Sequence, residues 1–89
     1  MAKWKYTLNS GSALREAIRN EDMEQTVKCL LLCYKEMQGK LTEEDKDYRG
    51  MEIEDTIFNL ENFDEGEDID DYLEYFYDLC DELRVWIGI

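Results

Sequence analysis

Six carboxylates, Asp70, Asp71, Glu74, Asp78, Asp81 and Glu82, are the side chains of this 89-residue chain whose type and spacing say most about its chemistry. On a helix at 100° per residue with Ile69 at 0°, all six fall between about 100° and 220°. No apolar residue interrupts them. Like charges at i,i+4, as in Asp70, Glu74, Asp78 and Glu82, each weaken a helix by about 0.2 to 0.5 kcal/mol. Four residues of helix advance about 6 Å, a spacing similar to that of phosphates along a nucleic-acid strand. Such a face either occupies the basic groove of a nucleic-acid-binding protein, as a nucleic-acid (DNA) mimic, or is the solvated side of an acidic protein.

The charge around that row is one-sided. From Gly50 to Leu83 there is no Lys or Arg, against 14 acidic side chains in 34 residues. Residues 1 to 40 hold seven basic and five acidic side chains, a net +2, while residues 41 to 89 hold three and 18, a net −15. A total of −13 repels phosphates and anionic membranes, which recognise proteins through Lys and Arg. The sequence therefore argues against direct nucleic-acid or membrane binding and for a basic protein surface as partner. No run of about 20 apolar residues is available to span a bilayer. Polar residues interrupt Met1 to Tyr6, so no secretory signal begins there. The expected location is the cytoplasm, and an odd set of three cysteines agrees with a reducing compartment.

Metal and catalytic chemistry find little support. An EF-hand needs oxygen ligands at positions 1, 3 and 5, Gly at 6 and Glu at 12. Around Gly50 those positions are Asp45, Asp47, Arg49 and Thr56, and around Gly66 they are Glu61, Phe63, Glu65 and Tyr72. Both registers put non-ligands at required positions. Cys29, Cys33 and Cys80 fall short of the four Cys and His ligands of a structural zinc site, because the chain has no histidine. They read as buried thiols. The same absence removes the usual general base for a Ser or Cys nucleophile, which leaves Ser10 and Ser12 as cap or loop residues. Neither enzyme activity nor a cofactor is expected.

The elements that must position the acidic row follow from periodicity. Alternation of Trp4, Tyr6 and Leu8 with Lys3, Lys5 and Thr7 predicts a short strand. Ser12 is placed to cap a short helix to about Ile18 or Arg19. A central helix opens at Asn20 or Glu21, carries Met23, Val27, Leu30, Tyr34 and Met37 on its apolar stripe and stops at Gly39. Thr42 followed by Glu43, Glu44 and Asp45 marks a short helix to about Tyr48. Beyond Gly50 a separate stripe of Ile53, Ile57, Leu60 and Phe63 follows. The last helix spans Asp68 to Arg84, with Ile69, Tyr72, Leu73, Tyr75, Phe76, Tyr77, Leu79, Cys80 and Leu83 on its core arc. Val85 to Ile89 is apolar and β-prone, and is expected to pack on the Trp4 strand. The fold class is a mainly α single domain over residues 1 to 89, a bundle of four to five helices, with the two ends meeting either as a small two-stranded β element or in a plain hydrophobic contact.

Phe58 breaks the pattern. It sits about 140° from Ile53, at 100° per residue, among Glu54, Asp55 and Asn62. An aromatic amid acids reads either as an anchor for a basic partner or as a packing contact with the preceding short helix or a second copy of the chain. Leu32, on the polar side of the central helix, invites the same two readings.

Lys3 to Leu8, Ser12 to Ile18, and Phe76 to Asp81 continuing into Val85, Trp86 and Ile87 resemble small acidic uncharacterised proteins of phages and mobile elements of Gram-positive bacteria. The resemblance covers both ends of the chain. It implies a small accessory protein whose target is another protein. The expectation is a non-enzymatic protein-binding protein acting through Asp70, Asp71, Glu74, Asp78, Asp81, Glu82 and Phe58. The alternative is a structural or self-assembling homodimer whose acids serve only solubility.

Overall fold

Leu8 closes the alternating apolar set of the first strand and is fully buried, so the chain enters its helices from an anchored point. The computed structural model describes residues 4–87; Lys3, Gly88 and Ile89, which the sequence assigns to the two terminal segments, lie outside the described residues. The order is β1 (Tyr6–Thr7), α1 (Gly11–Arg19), α2 (Met23–Lys40), α3 (Glu43–Glu61), α4 (Ile69–Leu83) and β2 (Val85–Trp86). The two strands pair in parallel, with Tyr6 opposite Val85 and Thr7 opposite Trp86. Backbone N–H groups of Lys5 and Leu8 donate to the carbonyls of Arg84 (2.7 Å) and Trp86 (2.8 Å). The Trp4 and Trp86 rings meet at 5.3 Å.

α2 runs through the middle and packs against α1 and α3, while α4 crosses it where Phe76 meets Tyr34 edge-on at 5.1 Å. One core joins Leu8, Leu14, Leu30, Met37, Ile53, Leu60, Leu79 and Val85 with their neighbours from every element. The Tyr34 hydroxyl ends in that core without a hydrogen-bond partner, a penalty of about 1 to 3 kcal/mol that the surrounding burial must outweigh.

Several boundaries differ from the sequence reading, each for a local reason. The segments on either side of Gly50 are one continuous helix, so the described residues form four helices. A helical glycine costs only about 1 kcal/mol relative to alanine, less than the burial of Ile53, Ile57 and Leu60 returns. Gly39 likewise fails to stop α2, which ends at Lys40 before the extended Leu41. α2 opens at Met23, not at Asn20 or Glu21, because Glu21 takes a left-handed turn at φ 55° and Asp22 caps the helix through the Gln25 N–H at 3.1 Å. Met23 accordingly lies exposed, outside the stripe.

Ser12 does not cap α1. The helix starts one residue earlier, and the acceptor at its N-terminus comes from α2: Glu36 accepts from the N–H of Asn9 (2.8 Å), the N–H of Ser10 (3.0 Å) and the Ser10 hydroxyl (2.9 Å). A carboxylate at a helix N-terminus suits the positive end of the dipole. Lys40 joins this clamp, reaching Glu36 at 2.8 Å and the Thr7 carbonyl at 2.6 Å. On the far side of β1, Lys5 and the Tyr6 hydroxyl both donate to Asp45 in the first turn of α3. Those two bonds hold the Asp45 carboxyl below the usual carboxylate range.

Two predictions follow from these ties. A Cβ on Gly11 would lie 1.3 Å from the Ile87 carbonyl oxygen, whereas one on Gly39 meets nothing within 4 Å. Gly11→Ala is expected to lower stability by about 2 kcal/mol or more and the melting temperature by about 10 °C. Gly39→Ala should raise stability by about 0.5 to 1 kcal/mol through helix propensity. Thermal melts of the two variants check both signs.

Partial burial raises the Glu36 pKa, but the bonds from Asn9, Lys40 and Ser10 outweigh it and pull the group from 4.5 down to about 2. A carboxylate with a depressed folded-state value stabilises the fold above its unfolded pKa and loses that contribution as pH falls through the folded one. Glu36 therefore contributes above about pH 4.5, and the contribution fades between about pH 4.5 and 2. Glu36→Gln should cost about 1 to 2 kcal/mol at neutral pH, the linkage value discounted for residual solvent contact. Denaturant titrations should show the gap between wild type and variant closing across that acid window.

Candidate protein-binding surface

The Asp68 side chain opens α4 by accepting the Asp70 N–H at 2.9 Å, and Asp70 and Asp71 then occupy the first turn, where the helix dipole favours them. Leu73, Phe76, Leu79, Cys80 and Leu83 turn inward and are buried. With 3.6 residues per turn, the residues between them must face out. Asp70, Asp71, Glu74, Asp78, Asp81 and Glu82 are all exposed, so the structure brings the six acids onto one side of one helix.

They are not equivalent. Glu82 accepts from the Tyr48 hydroxyl and from Arg49 Nε (3.1 Å) and Nη2 (2.7 Å), both on α3. Arg49 also donates through Nη1 to Glu52 at 2.7 Å, and Glu52 accepts the Tyr75 hydroxyl at 2.9 Å. Tyr48, Glu82, Arg49, Glu52 and Tyr75 thus form a polar seam that fastens α3 beside α4. Bonds from Tyr48 and Arg49 hold the Glu82 carboxyl below the usual range, and bonds from Arg49 and Tyr75 do the same for Glu52. Partial burial, followed by the bond to Glu52, pushes the Tyr75 phenol up to about 12. The remaining five acids of the row have no ion-pair partner among the described residues.

Tyr75 and Tyr77, expected on the core arc, are 36% and 40% exposed. They stand at the two margins of that arc, where a long amphipathic ring keeps its hydroxyl near water. Tyr75 spends that position on the seam. Sequence reasoning missed the seam and Glu36 alike. The i,i+3 spacing of Arg49 and Glu52 was legible, but Glu82 lies 33 residues away and no local pattern links it to Arg49.

Phe58 is 65% exposed on the outer side of α3. It has no preceding short helix to pack against, because that segment is part of its own helix. Met51, seven residues earlier and 78% exposed, shares its face, and Tyr48 stands beside them at 61%. Leu32 is exposed on α2. Between α3 and the end of α2 opens a cavity of about 560 Å³ lined by Leu41, Gly50, Met51 and Ile53 with Lys46, Asp47 and Glu54.

Burial pushes the Cys33 and Cys80 thiols up to about 12, which removes them from thiolate chemistry at neutral pH. Among the described residues no group of three or more His, Cys, Asp or Glu is placed to hold a metal ion, and no helix is long and apolar enough to cross a membrane. Comparison with protein-family models, with curated proteins and with solved structures found no match to this chain.

If Met51 and Phe58 contribute nothing to the core, Met51→Ser/Phe58→Ser should change stability by less than about 1 kcal/mol, the sum expected of two exposed sites. Chemical denaturation checks this, and a larger loss would place them in the packing.

Proposed function

We propose that the chain is a non-enzymatic binding protein that meets a basic surface of another protein through the outer face of α4. The observation that supports this most directly is the distribution of ion pairs. Glu24, Glu36, Asp45, Glu52, Glu61 and Glu82 each have a Lys or Arg partner, and of the acids with none among the described residues Asp70, Asp71, Glu74, Asp78 and Asp81 share one face of one helix. The like charges of Asp70, Glu74 and Asp78 at i,i+4 weaken the helix beyond its first turn, and no base among the described residues pairs with them. A cationic partner supplies the missing counter-charge. Complementary fields speed the encounter and make it fall with ionic strength.

The finer form of this reading is nucleic-acid mimicry. Asp70, Glu74 and Asp78 repeat at about 6 Å on a rigid helix, and a basic groove built for phosphates would accept them. The competing reading is a homodimer held by exposed Phe58 and Leu32, which would be insensitive to salt.

The test reverses Asp70→Lys, Glu74→Lys and Asp78→Lys together and leaves Glu82 in place, because Glu82 holds α3 to α4. Affinity capture from host-cell extract with wild-type bait should retain a basic protein at low salt and release it at high salt. The triple variant, with unchanged helicity, should retain none. Equal capture by both baits, or capture indifferent to salt, overturns the proposal. Displacement of the captured protein by added duplex DNA or RNA would assign its nucleic-acid site as the target; failure to displace would overturn the mimicry form alone.

A further inference from the structure

The outer side of α3 combines features that a purely electrostatic surface lacks. Met51 and Phe58 lie on one face about 10 Å apart, the rise of seven helical residues. Both are more exposed than any other large apolar residue described. Gly50 has no side chain to fill the 560 Å³ cavity beside Met51, whose floor is Leu41 and Ile53. Asp47, Glu54 and Asp55 stand around these residues, exposed and without an ion pair among the described residues. An apolar pair of which Met51 borders the hollow, framed by three carboxylates against one base, Lys46, has the layout of an interface hot spot with a net negative rim.

The charge selects the occupant. A second copy docking this stripe on itself would bring Asp47, Glu54 and Asp55 of both chains together, adding like-charge repulsion between two molecules of net charge −13. Nucleic acid is repelled for the same reason. A basic amphipathic helix satisfies every element: apolar side chains two turns apart match Met51 and Phe58, one of them fills the hollow at Gly50, and flanking Lys or Arg reach the carboxylates. We infer that α3 carries a docking site for a basic amphipathic helix of a partner protein, beside the acidic face of α4 and joined to it by the Tyr48, Arg49 and Glu82 seam. This rests on the reading of the chain as a partner-binding protein and gives that partner a second, apolar requirement.

Two synthetic helical peptides of equal length and charge test it, one with Lys flanking a Leu stripe and one with Ser in place of every Leu. Fluorescence anisotropy at physiological salt is expected to show wild type binding the Lys/Leu peptide at least tenfold more tightly than the Lys/Ser peptide. Met51→Ser/Phe58→Ser should bring the two to within about twofold. Gly50→Leu, whose Cβ meets only Lys46 Cβ at 3.5 Å, fills the hollow and should also shrink the preference. The α4 triple Lys variant should bind both peptides more weakly while preserving the preference for Leu. Equal binding of the two peptides by wild type, or a preference untouched by the Met51 and Phe58 substitutions, overturns the inference while leaving the α4 reading in place. Unchanged affinity of the α4 variant overturns that reading alone. A wild-type dimer in sedimentation that Phe58→Ser dissolves would assign the site to a second copy and overturn the basic-helix proposal.

Discussion

Backbone pairing between residues 5–8 and 84–86 determines where the last helix lies. α4 enters from the Asp64 to Asp68 turn, buries Leu73, Phe76, Leu79, Cys80 and Leu83 in the common core and meets Tyr34 of α2 through Phe76. β2, immediately after it, is locked to β1, and β1 is locked in turn by Glu36, Lys40 and Asp45 from the neighbouring helices. Ile87 lies so close to Gly11 that no side chain fits between them. Burial of its five core residues sets the rotation of α4, and with it the outward aim of the acidic row, and this closure holds its C-terminal end in place.

A small domain with 23 acids and 10 bases must hold together against its own field. Part of the acidic surplus does structural duty. Asp22, Asp68 and the first-turn acids of α2, α3 and α4 sit at helix N-termini, where partial positive charge offsets them. Glu36 and Asp45 bind the first strand, and Glu52 and Glu82 bind the seam between α3 and α4. Of the carboxylates with no such duty, Glu74, Asp78 and Asp81 continue along α4 the row begun by Asp70 and Asp71, and Asp47, Glu54 and Asp55 surround Met51 and Phe58 on α3. These two surfaces adjoin across the Tyr48 and Tyr75 hydroxyls, so electrostatic attraction and apolar anchoring are available to one partner at once.

Much of this was legible before any coordinates. Apolar periodicity located the helices, Thr42 and its acids marked the start of α3, and the β-prone ends implied contact between the termini, which the structure makes as a parallel strand pair. Glycine misled twice, at Gly39 and Gly50, because a single residue costs about 1 kcal/mol in a helix while the apolar stripe around it carries more. Glu36 gave no local sign of its role, since its partners Asn9 and Ser10 lie 27 and 26 residues away. The tyrosines at the margins of the α4 arc could not be assigned by angle alone, because the neighbouring helix decides whether a marginal ring is covered.

The sequence by itself determined the charge excess, its concentration after Gly50, the single-sided acidic row and the anomaly of Phe58, because each depends only on residue type and on the fixed period of an α-helix. Tertiary structure decided which acids are spent and which are free, that Met51 borders a hollow between α2 and α3, and that the Met51 and Phe58 stripe adjoins the acidic face. Those properties arise where elements distant in sequence meet, as Arg49 meets Glu82, and no periodicity encodes which helix lies beside which.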